Sequence, residues 1–183
     1  MKKVLSIIST LGLMVIGTAS LTACNDNLSR PKSISPNPDP PPITHDIKYY
    51  QNLYDATLVD YKITKQDIDD LQSKEMIEQI CDGGVLICAE LQEMIDVAKV
   101  ELYQYNVILS DCQYQILSLQ YNGNFSDPTI KVKALGFLTD KLTTLSTIKA
   151  IMLLYPTNYT QNDINKISAQ ISTVQDLIKN LSA

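Results

Sequence analysis

Few residues in this 183-residue chain could do chemistry: one histidine, four cysteines and two clusters of acids. His45 is the only general base of the imidazole type, and it lies beside the prolines at 36, 38, 40, 41 and 42, at the edge of anything that folds. A Ser-His-Asp or Cys-His site would have to draw on that edge. The Glu-x-x-His pattern of carboxylate-bridged metal bundles occurs nowhere, so His45 is expected to be a solvated residue in a first helical turn. Asp67, Asp69 and Asp70, with Glu78 eleven positions after Asp67, have the outline of a calcium loop. The outline fails on chemistry, because the sharp bend at position six needs glycine and has Gln72, and position five offers Leu71 in place of an oxygen ligand. These acids are expected to sit near a helix start and favour its dipole. Glu90, Glu93, Asp96 and Glu101 read as a solvated acidic face, and an acid pair for glycoside cleavage would need a groove that nothing here implies. No catalytic residue, metal ligand or cofactor site is expected, and the chain is not expected to be an enzyme.

The four cysteines divide by position. Cys24 follows Leu21-Thr22-Ala23, at the end of an apolar run from Val4 to Ile16 that starts behind Lys2 and Lys3. A basic start, an apolar stretch and small residues before a cut are the three parts of an export signal, and the stretch is shorter than the ~20 residues of a membrane span. Leu21-Thr22-Ala23-Cys24 resembles the motif of bacterial lipoproteins, and the opening residues are similar to the prolipoprotein signals of spiroplasmas and mycoplasmas. The resemblance covers about 25 residues. It implies that Cys24 becomes the first residue of the mature chain, carries a diacylglyceryl group and holds the protein on the outer face of the cell membrane. Two acyl chains anchor stably where one, at ~0.8 kcal/mol per buried methylene, holds only marginally.

Cys81, Cys88 and Cys112 remain. Cys88 and Cys112 share one helical segment and would lie ~36 Å apart along its axis, so they cannot bond within a chain. If Asp82-Gly83-Gly84 turns the chain back, only Cys81 and Cys88 can meet. An export route permits that disulfide, but the plainer expectation is three reduced, small apolar core residues, with Cys112 buried and inert.

The elements that hold these residues follow from composition and period. Six of the eight prolines lie between Asn25 and Thr44, a spacer that could extend at ~3.1 Å per residue to ~60 Å. Removing Lys2 and Lys3 from the 15 basic residues leaves 13 against 20 acidic, a formal charge of −7 for the mature chain. With no clustered basic face, nucleic acid is excluded as a partner. About 140 residues follow the spacer, enough for one domain over 45–183.

That domain reads as all-α. Cys88, Leu91, Ile95, Ala98, Leu102, Tyr105, Leu109, Cys112, Ile116 and Leu119 recur at steps of three and four within a helix of about 85–121. Ile164, Ile167, Ile171, Val174, Ile178 and Leu181 repeat the rule, and Leu135, Leu138, Leu142, Leu145, Ile148 and Met152 follow it less regularly around Gly136. Such seams belong to helices packed side by side. Two shorter helices are expected over 45–61 and 65–81, the second capped by Thr64, unless they form one interrupted helix. Turns are expected near 62–64, 82–84, 122–127 and 156–160, from Asn122-Gly123-Asn124, Asp127-Pro128, Tyr155-Pro156 and the box of Thr160 with Asp163. The expected architecture is an elongated antiparallel bundle of four or five helices.

Ten tyrosines accompany two phenylalanines and no tryptophan. Tyr103, Tyr114 and Tyr121 are spaced by eleven and seven, within about 20° of one another on a helix and opposite the Tyr105 seam. They are the candidate face for a protein partner, since tyrosine combines large rigid area with a polar tip. The expectation set against this is that the two N-terminal helices cover them. Functionally, the chain is expected to be a non-enzymatic surface lipoprotein serving as an interaction or coat and antigen module. The competing class is an exported accessory enzyme or solute-binding subunit, which a deep pocket with converging polar groups would favour.

Overall fold

The computed structural model of the chain describes residues 45–81 and 87–183. Cys24, the proline-rich spacer and the expected turn at 82–84 lie outside them. The described residues form helices joined by short turns, with no strand among them: α1 (Ile47–Leu71), α2 (Lys74–Ile80), α3 (Ala89–Gln120), α4 (Pro128–Leu154) and α5 (Gln161–Ser182).

Local chemistry sets most of the boundaries. Asp46 caps α1 by accepting from the Tyr49 amide at 2.8 Å, and Ser73 caps α2 by accepting from Met76 at 3.3 Å. Asp127 accepts from the Thr129 amide at 2.7 Å at the head of α4, with Pro128 in the first turn, where a missing N–H costs nothing. Thr160 and Asp163 form a reciprocal capping box on α5. The turn after α3 needs two left-handed residues in succession, Asn122 (φ 51°) and Gly123 (φ 70°), and the Gly123 amide donates back to the Ser118 carbonyl at 2.7 Å.

The expected break at 62–64 does not exist. α1 runs through it, and Thr64 is buried in mid-helix instead of capping a new one. The reason is the seam itself, which continues at steps of three and four through Tyr61, Thr64, Ile68 and Leu71 and rewards an unbroken helix with continuous burial. The chain breaks instead at Gln72 and Ser73. α3 begins at Ala89, four residues later than the expected start at about 85, with Cys88 as its N-cap.

α3 is the central element. α1 packs on it, α4 packs on it from another side, and α5 packs on α4, while α2 touches the adjoining parts of α1 and α3. Neighbours run antiparallel: Leu71 and Ile68 share a core with Leu91 and Ile95, and Tyr155 at the end of α4 reaches Asp96 near the start of α3. Three buried clusters result. The largest joins Val100 of α3 to Leu138, Leu145, Ile148 and Met152 of α4 and to Ile164, Ile167 and Val174 of α5. A second holds Ile68, Leu71, Leu91, Ile95 and Ala98 under α2. A third, at the turn between α3 and α4, holds Leu117, Ile130 and Ala134. α4 buries Ile130, Ala134, Leu138, Leu145, Ile148 and Met152, so its seam begins at Ile130, five positions before the expected Leu135, and passes through Ala134 in place of Leu135. Gly136 falls on the exposed side, where a Cβ would meet nothing within 4 Å.

Candidate functional site

The acidic residues are the largest reserve of reactive groups, and the structure gives most of them structural employment. Asp96 is a hub. Its carboxylate accepts from Gln92 Nε2 at 2.9 Å, from Lys99 Nζ at 3.4 Å and from the Tyr155 hydroxyl at 2.9 Å. Glu93 accepts from Asn158 Nδ2 at 3.0 Å. Together they tie the turn between α4 and α5 to the first turns of α3. The expectation of a solvated face is thereby corrected for Glu93, Asp96 and Glu101, which are half-buried, and Glu90 alone of the four is exposed. A helix contacted on several sides leaves little of its surface to water, and its acids must find donors.

Asp67, Asp69 and Asp70 lie in the last turns of α1, not at a helix start, because α1 runs through Thr64. The dipole there disfavours them, and neighbours supply the compensation: Lys65 pairs with Asp69 at 2.8 Å and Gln66 Nε2 donates to Asp70 at 2.8 Å. Glu78 pairs with Lys74 at 3.5 Å on α2. Water screens these exposed pairs, so they add little to stability. Among the described residues no three His, Cys, Asp or Glu side chains are arranged to hold a metal ion.

Between α1 and α3 the seam is polar. The Tyr105 hydroxyl donates to Glu101 at 3.0 Å, and burial pushes the Tyr105 phenol up to about 12, with Glu101 adding to the shift and Thr64 opposing it. Burial also raises the Glu101 carboxyl above its usual range against the pull of the Tyr105 hydrogen bond, and Asp67 and Asp60 on α1 push it the same way. A raised carboxyl means that the ionised form is disfavoured by folding. The stability it contributes is present below its ordinary range and lost as pH rises through the raised value. Glu101→Gln keeps the acceptor for Tyr105 and removes the charge. It is expected to raise the melting temperature at about pH 7 and to lose that advantage by about pH 4. A variant less stable than the parent at both pH values would contradict this account of the seam.

His45 stands at the entrance to α1, its ring stacked on Tyr49 at 3.7 Å, with Tyr50 edge-on to Tyr49 at 5.2 Å. An open trough of about 560 Å³ is lined by Lys48, Gln51, Asn52, Tyr54 and Asp55 of α1 and by Ile116 of α3. All but one of these come from a single helix face, so the trough has no opposing wall on which polar groups could converge. Comparison of the chain with protein-family models, with curated proteins and with solved structures finds no match.

The three tyrosines do not form one free stripe. Tyr103 and Tyr114 are half-buried against the core of α4 and α5, and Tyr114 stacks on Phe125 with ring centroids 6.0 Å apart. The expected cover by the N-terminal helices is corrected: α1 and α2 take the Leu91, Ile95 and Ala98 side of α3, and the C-terminal helices take the tyrosines. Tyr121, just past the end of α3, remains 43% exposed.

Cys81 and Cys88 are joined in a disulfide with their Cα atoms 5.6 Å apart, where three free thiols were expected. Cys112 is free and buried, and burial pushes its thiol up to about 11, with Asp111 adding to the shift and Lys141 opposing it. A thiol so placed is a poor nucleophile at neutral pH. The Lys141 and Asp111 pair joins α4 to α3 across 30 residues of sequence. Nothing local in the sequence marks it, because the pairing depends on the register of two helices.

Proposed function

We propose that this chain is a non-enzymatic lipoprotein anchored through Cys24 on the outer face of the cell membrane, its helical bundle serving as a protein-contact or coat module. The observation that carries the reading is the leader ending in Leu21-Thr22-Ala23-Cys24, followed directly by a proline-rich spacer and then by a domain whose seams begin beyond it. Export also suits the Cys81 and Cys88 disulfide, since such bonds persist in oxidising surroundings. No helix among the described residues is long and apolar enough to cross a membrane, so an anchor on Cys24 would be the attachment. The non-catalytic part is supported by how the polar groups are used: Asp96, Glu93, Glu101 and Asp111 are bonded to neighbouring side chains within the bundle. As a contact surface, Tyr121 replaces the full tyrosine stripe, with Leu119 beside it at 39% exposure.

The test is lipid incorporation in a bacterial host fed a clickable palmitate analogue. The parent chain is expected to take up label and to partition into detergent, and Cys24→Ser is expected to lose both. Label retained by the serine variant, or absent from the parent, would sink the anchor and with it the surface reading.

A further inference from the structure

We propose that the Cys81 and Cys88 disulfide is a redox clasp: it holds α2 over an apolar end of the bundle, and its reduction by a dithiol frees α2 and uncovers that end. Cys81 is the C-cap of α2 and Cys88 is the N-cap of α3, so the bond ties together two helix termini. Cys88 makes no side-chain capping hydrogen bond; its sulfur is committed to the clasp, and its amide donates to Cys81 Sγ at 3.1 Å.

α2 depends on that tie. It has seven residues, well short of the ~12 to 15 at which isolated helices become even marginal, and none of them is fully buried. Its hold on the bundle consists of the two-residue link from α1, the chain that runs on from Cys81 to α3, the half-buried Met76, Ile77 and Ile80, and the disulfide that closes that onward chain into a short loop. Beneath it lie Ile68 (5% exposed), Leu71 (3%) and Leu91 (0%), at the end of α1 remote from His45. Both clasp cysteines are partly exposed, so a reductant can reach them, whereas Cys112 is 1% exposed and takes no part.

The chemistry balances with a dithiol as the electron donor. One thiolate of the reagent attacks Sγ of Cys81 or Cys88; the S–S bond breaks, a mixed disulfide forms and the departing cysteine thiolate takes a proton. The second thiol of the reagent then attacks its own mixed disulfide, releasing the other cysteine and closing the reagent into a cyclic disulfide. Two electrons and two protons pass to the protein, and Cys81 and Cys88 become thiols.

Amide hydrogen exchange on the mature chain, oxidised and then treated with dithiothreitol under native conditions, tests the proposal. Reduction is expected to speed exchange in 74–80 by at least about tenfold, in keeping with the chain restraint a short disulfide loop supplies. α4 and α5 are expected to keep their protection, and reoxidation is expected to restore α2. Cys81→Ser combined with Cys88→Ser is expected to match the reduced protein whether or not reductant is present. A peptide map made without reductant in which the two cysteines are not joined would overturn the proposal. So would undiminished protection of 74–80 after both thiols have been alkylated, or loss of protection spread evenly over all helices.

Discussion

Ile148→Ala is expected to lower the unfolding free energy by about 2 to 5 kcal/mol, the range for truncating a fully buried aliphatic side chain where the surroundings relax only in part. Ile148 is 0% exposed and belongs to the cluster in which α3, α4 and α5 meet, with Val100, Leu145, Met152, Ile164 and Ile167 around it. Removing three carbons there costs the transfer free energy and leaves a void walled by two other helices. Leu154→Ala, on the same helix but 70% exposed, is expected to change stability by less than about 0.5 kcal/mol. Urea unfolding followed by circular dichroism measures both, with unchanged slopes as the check that the denatured state is unaltered. Near-equal losses for the two would mean that α5 does not close over α4 as described, because Ile148 would then have solvent on one side.

The contrast between those two leucine-class positions was only half legible in the sequence. Periodicity found α5 almost residue for residue, since an amphipathic helix with one wet face must show its seam, and found much of α3, where Val100 and Leu117 are buried off the seam and Leu119 on it is 39% exposed because that helix meets neighbours on more than one side. α4 was harder, because apolar residues such as Val132, Leu153 and Leu154 also occupy its exposed side. A period cannot be read from a helix that is apolar all round, so Leu135 and Gly136 were placed in a seam that in fact runs through Ala134. Thr64 and Thr160 carry the same lesson for caps. Each is a threonine with an aspartate three residues on, yet Thr160 follows the Tyr155 and Pro156 stop and caps α5, whereas Thr64 sits inside a continuing seam and is buried. The downstream pattern is the same; the upstream context and the seam decide.

Site chemistry was legible where it is local and hidden where it is not. The reach of Cys81 to Cys88 followed from elimination along one helix, but their oxidation state is a property of how α2 docks, which short sequence cannot convey. The tyrosine spacing put Tyr103 and Tyr114 on one side of α3 and could not say which helices would cover them, because α1 and α4 compete for α3 through volume and register, not through any motif. Asp96 and Glu93 looked solvated for the same reason: the donors that tie them to the turn between α4 and α5, Tyr155 and Asn158, lie 59 and 65 positions away.

Lys141→Met is the sharper test of that hidden register, with an expected loss of about 2 to 3 kcal/mol at about pH 7. Fully exposed pairs contribute about 0 to 1 kcal/mol and breaking a fully buried one costs about 3 to 5, and this pair lies between, with side chains 12% and 22% exposed. The cost arises mainly on the partner. Asp111 would be left as an uncompensated carboxylate near Tyr50, Cys112 and Tyr114, the groups whose ionisation it already opposes. The penalty therefore belongs to the stranded charge and not to the loss of the lysine as such. Adding Asp111→Asn to Lys141→Met removes the stranded charge and is expected to recover more than half of the loss, a coupling that a double-mutant cycle isolates. If the double variant proves as unstable as the single, the charge is not what matters at this position. The contribution of Lys141 would then come from its aliphatic stem packed between α3 and α4, and the register of the two helices would rest on apolar contacts alone.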